Sequence, residues 1–158
     1  MGRKYYLAYG SNLNVQQMKA RCPESRVLGK TRITNYRLLF KGSRSGSYLT
    51  IEPKTGFTVP AVVWEVTDAD EARLDIYEGC PAFYYKADMQ VTYKGIRSGK
   101  LRTVSAFVYI MHEDRFYGIP TYRYVETCRQ GYADFGFDDE FLAEAYEHSK
   151  EMLENYDN

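Results

Sequence analysis

Tyr5-Tyr6-Leu7-Ala8-Tyr9-Gly10-Ser11-Asn12-Leu13 decides how the rest of the chain is read. Its aromatic and aliphatic residues predict a first strand over Lys4 to Tyr9. Gly10 breaks that strand, and Ser11, Asn12 and Asn14 offer cap side chains for a helix from about Asn14 to Arg21, ended by Pro23. Where a strand, a tight turn and a helix start meet, several backbone N–H groups lack intrahelical partners, and Gly10 has no Cβ to hold a ligand away. Such a turn either grips a carboxylate or a developing oxyanion, or simply joins strand to helix.

Downstream, Val27 to Ile33 is short and ambiguous, whereas Tyr36 to Phe40 reads as a strand. Gly42 to Ser47 is a loop whose Gly/Ser composition suits either a mobile lid or an exposed connection. Tyr48 to Glu52 is a short strand closed by Pro53, and the near-continuous apolar run from Val59 to Thr67 reads as a buried strand. Thr67 with Asp70 is a capping signal for a helix that Gly79 ends and Pro81 forbids from continuing. Tyr84 to Tyr93 and Leu101 to Met111 predict an antiparallel hairpin across a charged turn with two glycines. Pro120 starts a helix running to about Asp134, with Tyr124, Cys128 and Tyr132 on one face. The last helix spans Asp138 to Asn155, with Phe141, Leu142, Ala145, Tyr146 and Met152 turned inward. Strands interrupted by helices, with a hairpin among them, imply a mixed or antiparallel sheet rather than a doubly wound parallel one.

The chain has 158 residues and no internal repeat or linker, so a single domain over 1–158 is expected. Lys plus Arg and Asp plus Glu each number 21, which points away from nucleic acid and anionic membranes and towards a small-molecule partner. No apolar run is long enough to span a bilayer, and Met1-Gly2-Arg3-Lys4 leads straight into a strand, so a cytoplasmic protein is expected. The three cysteines, Cys22, Cys80 and Cys128, are widely spaced, arguing against a disulfide framework and a zinc site. Tyrosine is over-used, at 16 residues, and its apolar face with a polar tip suits a polar pocket inside a packed shell. A homodimer is allowed, though no apolar stripe demands one.

Glu71, Asp75 and Glu78 recur at helical spacing, a pattern that ordinarily marks a solvated face. Glu78 differs in position. It occupies the last helical turn, before the Gly79 cap, where the helix dipole disfavours a negative charge. If partly buried under Tyr77 and Tyr84, its carboxyl would have a raised pKa suited to exchanging a proton near neutrality. Cys80 is a poor nucleophile beside a carboxylate, which raises a thiol's pKa.

Tyr9-Gly10-Ser11-Asn12-Leu13 after an apolar strand, followed much later by Glu78-Gly79 at a helix end, resembles the gamma-glutamylcyclotransferase family. The resemblance implies an α+β fold, a small mixed or antiparallel β-barrel with helices packed outside. It also implies cyclisation of a gamma-glutamyl amide to 5-oxoproline without metal or cofactor. In it, the turn from Tyr9 through Gly10, Ser11, Asn12 and Leu13 binds the glutamyl group and Glu78 is the catalytic acid/base. Tyr85, seven positions after the Glu, matches a tyrosine common in the family. Pro120-Thr121-Tyr122-Arg123-Tyr124 matches a Pro-Ser-x-x-Tyr helix start with Thr for Ser, making Tyr124 a second pocket contact. A tyrosine that some members carry in the final helix falls on Phe141, a departure bearing on substrate preference. Two other outcomes stay open: a non-catalytic small-molecule-binding module on the same fold, and removal of a gamma-glutamyl group from a biosynthetic intermediate.

Overall fold

The opening apolar segment forms strand β1 (Arg3–Ala8) in a computed structural model that describes residues 3–156. Met1 and Gly2 lie outside the described residues. β1 buries Tyr6, Leu7 and Ala8, and has a partner on each side. It runs antiparallel to β3 (Tyr48–Thr67), from Arg3 opposite Thr67 to Ala8 opposite Val62, and parallel to β5 (Leu101–Met111), with Tyr6 opposite Phe107. β5 pairs with β4 (Tyr84–Gly95) in the expected antiparallel hairpin. β4 meets β2 (Arg26–Gly42) at Gly29 and Lys30, and β2 returns to β3, closing a five-stranded mixed barrel. A two-residue strand, β6 (Phe116–Tyr117), extends the far end of β2. With helices packed outside, the fold is the α+β barrel expected from sequence.

The structure corrects two strand boundaries. The segments read as Val27 to Ile33 and Tyr36 to Phe40 are one strand, β2, irregular at Asn35, whose φ is +62°. Tyr48 to Glu52 and Val59 to Thr67 are likewise one strand, β3, which passes through Pro53 and Pro60. Both prolines precede Val62, in the part of β3 that β1 does not pair, so β3 has a single ladder to satisfy there.

Four helices pack on the barrel: α1 (Val15–Arg21), α2 (Asp68–Glu78), α3 (Tyr122–Asp134) and α4 (Glu140–Tyr156). None is long and apolar enough to cross a membrane. α2 begins with a complete capping box, in which Asp70 N donates to Thr67 Oγ1 at 3.1 Å and Thr67 N to Asp70 Oδ2 at 3.2 Å. It ends at Gly79, whose φ of +61° is the left-handed conformation glycine adopts without a Cβ penalty. α3 buries Cys128 and Tyr132, and α4 buries Leu142, Ala145, Ser149 and Leu153. Thus Ser149 and Leu153 take the place expected for Met152, and Ser149 accepts a hydrogen bond from Phe40 N at 2.9 Å. The Gly42 to Ser47 loop is tied down rather than free: Gly46 N and Ser47 N donate to Ile119 O at 2.9 and 3.2 Å.

Candidate active site

The turn after β1 is a single 3-10 turn, Ser11–Leu13, and its anchor is Leu13, wholly buried. Asn14 locks it on both sides. Its Oδ1 accepts from Gln17 N at 3.0 Å to start α1, while its Nδ2 donates to Thr127 O at 3.1 Å and Gln130 Oε1 at 3.2 Å on α3. Gly131 lets α3 approach backbone to backbone, since a Cβ there would stand 2.7 Å from Asn14 N and from Leu13 C. Held this way, Gly10, Ser11 and Asn12 line a cavity of about 220 Å³. Among the described residues, none receives a backbone hydrogen bond from the N–H groups of these three.

Facing the turn is the end of α2. Lys86 takes up the outer carboxylates of the ridge, at 2.6 Å from Glu71 and 3.0 Å from Asp75, and Lys4 lies 2.7 Å from Glu71. Glu78 has no such ion pair among the described residues and lines the cavity instead. Asn12 Nδ2 donates to Tyr6 Oη at 2.9 Å and reaches Glu78 Oε1 at 3.5 Å. The amide is turned this way because its Oδ1 accepts from Arg21 Nη1. Arg21 in turn lies 3.4 Å above the Tyr77 ring and donates to Gln17 Oε1 at 3.2 Å. Tyr77 Oη and Ser11 Oγ, 3.3 Å apart, close that side of the site.

Electrostatics separates Glu78 from five of the tyrosines around it. Burial raises its carboxyl to about 7, with Arg21 pulling the other way. The cavity leaves the side chain some accessible surface, but protein encloses it on its remaining sides. Burial, reinforced by the Glu78 charge, pushes the hydroxyls of Tyr6, Tyr9, Tyr84, Tyr109 and Tyr124 above the usual phenol value, so all five stay protonated. They are pinned as well. Tyr9 Oη donates to Tyr109 O and Tyr84 Oη to Leu49 O, both at 2.7 Å; Tyr109 Oη donates to Asp75 Oδ1 at 2.5 Å; Tyr124 Oη accepts from Leu49 N at 3.1 Å. Glu78 is therefore the group here that gains and loses a proton near neutral pH. Burial and Asp75 push the Cys80 thiol up, and Cys80 does not line the cavity.

The residues singled out from sequence divide clearly. Tyr9, Gly10, Ser11, Asn12, Glu78 and Tyr124 meet in one cavity. Leu13 anchors the turn from behind. Tyr85 does not line the cavity: alternation along β4 turns Tyr84 inward and leaves Tyr85 outside against His112, at 5.2 Å between ring centroids. Phe141 also stands apart, under Arg32. Sequence reasoning passed over Tyr6, Tyr48, Phe83 and Tyr109 in the lining and Arg21 behind it. Only the tyrosine excess hinted at an aromatic cavity. No group of three or more His, Cys, Asp or Glu among the described residues is placed to hold a metal.

The class that the fold and cavity define is an α+β protein built on a closed mixed barrel, with Glu78 facing the Gly10 to Asn12 turn across one cavity. A family model described as gamma-glutamyl cyclotransferase, AIG2-like, matches residues 6–127, and the chain belongs to that family. No curated protein matches it in sequence. Among solved structures, it is similar to a gamma-glutamyl cyclotransferase at 23% identity and TM-score 0.77, covering 91% of this chain and 86% of that one. An uncharacterized human protein gives 24% identity and TM-score 0.77, with 92% and 87% covered. A glutathione-specific gamma-glutamyl cyclotransferase from yeast gives 14% and 0.64, with 98% and 95% covered. At these identities the likeness speaks for the fold alone.

Proposed function

We propose that this chain is a gamma-glutamyl cyclotransferase that converts a gamma-glutamyl amide into 5-oxoproline and a free amine. Family membership supports this class of enzyme. The observation that carries the reaction is Glu78, whose carboxyl titrates at about 7 and faces the Gly10 to Asn12 turn.

The substrate brings its own nucleophile, because the α-amine reaches the γ-carbonyl through a five-membered ring. Glu78 as carboxylate takes a proton from the α-ammonium, and the freed amine attacks the γ-carbon. The carbonyl oxygen becomes an oxyanion, and the unpaired N–H groups of Gly10, Ser11 and Asn12 supply donors for it. Glu78 then returns its proton to the departing nitrogen as the amide C–N bond breaks, and the ring nitrogen gives up its second proton to the released amine, which departs as an ammonium ion. One C–N bond forms and one breaks, and water is neither consumed nor released. The rigid tyrosine wall holds the glutamyl chain folded, which removes much of the entropic barrier to ring closure.

The test is 5-oxoproline release from a panel of gamma-glutamyl amino acids, gamma-glutamyl amines and glutathione, by wild type and by Glu78→Gln and Glu78→Ala. Release by wild type that both variants lose supports the reading. Tight binding of these compounds without turnover by wild type would instead make the chain a binding module.

A further inference from the structure

The rim of the cavity differs chemically from its floor. Tyr48 and Tyr77, each 45% exposed, stand at the mouth with Phe83. Tyr48 is edge-on to Phe83 at 6.1 Å and to Tyr124 at 5.1 Å between ring centroids. It is a fixed wall rather than a flap. The preceding loop is pinned to Ile119, and the next residue, Leu49, is held through both backbone groups by Tyr124 and Tyr84.

The charge inventory narrows what can sit there. Glu78 is the one charged side chain among the described residues lining the cavity, and the turn and Glu78 are taken up by the glutamyl end. The leaving amine therefore projects past the three rings. Arg21 and Arg115 flank these rings, and neither lines the cavity. Arg21 covers Tyr77 at 3.4 Å, and Arg115 covers Phe83 at 4.8 Å while donating to Ala82 O at 3.2 Å. A leaving group bearing its own carboxylate would meet the electron-rich faces of aromatic rings with no hydrogen-bonding cation in the lining. One bearing a distal ammonium would approach Tyr77 and Phe83, each of which already has an arginine over a face, and would be repelled by both guanidinium groups. A neutral aromatic group meets neither penalty and finds edge and face contacts on three rings.

We propose, resting on the cyclotransferase reading above, that Tyr48, Tyr77 and Phe83 select gamma-glutamyl conjugates of neutral arylalkyl amines. The substrate class is thus an amide whose leaving group is apolar, aromatic and free of charge. Tyr48 and Phe83 determine specificity by contacting the departing group without taking part in proton transfer.

Four gamma-glutamyl conjugates test this: those of phenethylamine, n-propylamine, alanine and 1,4-diaminobutane, the last linked through one nitrogen. The phenethylamide should exceed each of the others in kcat/KM by about tenfold or more, mainly through KM. The ratio of phenethylamide to propylamide should collapse towards unity in Tyr48→Ala and Phe83→Ala and persist in Tyr48→Phe. A within-enzyme ratio is insensitive to how much of a variant folds, because both substrates sample the same active molecules. Preference for the alanine or diaminobutane conjugate, or a flat series, overturns this inference while leaving the cyclotransferase reading intact. Wild type silent on all four overturns this inference, and the cyclotransferase reading falls with it only if the wider gamma-glutamyl panel, glutathione included, is silent too.

Discussion

Replacing Glu78 by Gln should stabilise the protein at alkaline pH while removing its activity. A carboxyl that titrates at 4.5 in the unfolded chain and at about 7 in the folded one is more willingly neutral when folded. The sign follows directly. Below pH 4.5 both states hold the proton and Glu78 costs nothing electrostatically. Between 4.5 and about 7 the unfolded chain releases its proton while the folded one keeps it, so stability falls as pH rises. Above about 7 the loss is complete and constant. At about 1.4 kcal/mol per pH unit the loss is at most about 3 kcal/mol, since water in the cavity screens the ion. Gln occupies the same space beside Asn12 and does not titrate. Thermal unfolding of both proteins from pH 4 to 9 should show nearly coincident midpoints at the acid end. The gap should open through neutrality to roughly 5–10 °C in favour of Gln. A pH-independent difference, or one that widens towards acid, would refute the claim that burial raises this carboxyl.

Arg21→Met should raise the Glu78 pKa further, because Arg21 is the group pulling it down. The acidic limb of kcat/KM moves to higher pH, and the rate at neutrality falls by about tenfold, or about 1.4 kcal/mol of barrier. Arg21→Lys, which keeps the charge and loses the Asn12 and Tyr77 geometry, should move the limb less; an unmoved limb in Arg21→Met excludes the role. Gly131→Ala should push α3 off the Leu13–Asn14 backbone, costing about 1–3 kcal/mol in thermal unfolding and raising KM in the folded fraction. Wild-type stability and KM in that variant would mean the turn does not depend on this contact.

Local chemistry made much of the fold readable. Thr67 with Asp70, Gly79 and the two-glycine turn before Leu101 each impose a boundary through a specific backbone requirement, and the elements fall where those residues put them. β2 and β3 were read as pieces because Asn35 and Pro53 interrupt regular strands, and the neighbours that tolerate the interruption are distant in sequence. The turn and Glu78 were legible through the family resemblance; residue type and position along an element alone left the turn as a plain connection and Glu78 as one more carboxylate on a helix face. Tyr85 shows the limit of counting: a one-residue step along a strand reverses the face, and only pairing with β5 puts Tyr84 inside. Arg21 carried no signal, since a basic residue in the last turn of a helix is ordinary and its partner Tyr77 lies 56 positions away.

The central claim is that one carboxyl, held inside the cavity opposite the Gly10 to Asn12 turn, exchanges a proton near neutrality. Its most direct test is site-resolved titration of the Glu78 carboxyl carbon by NMR, assigned with Glu78→Gln. A midpoint near 7 is the expected result. A midpoint at the ordinary value of an exposed glutamate, about 4.3, would contradict it and leave the site without its acid/base.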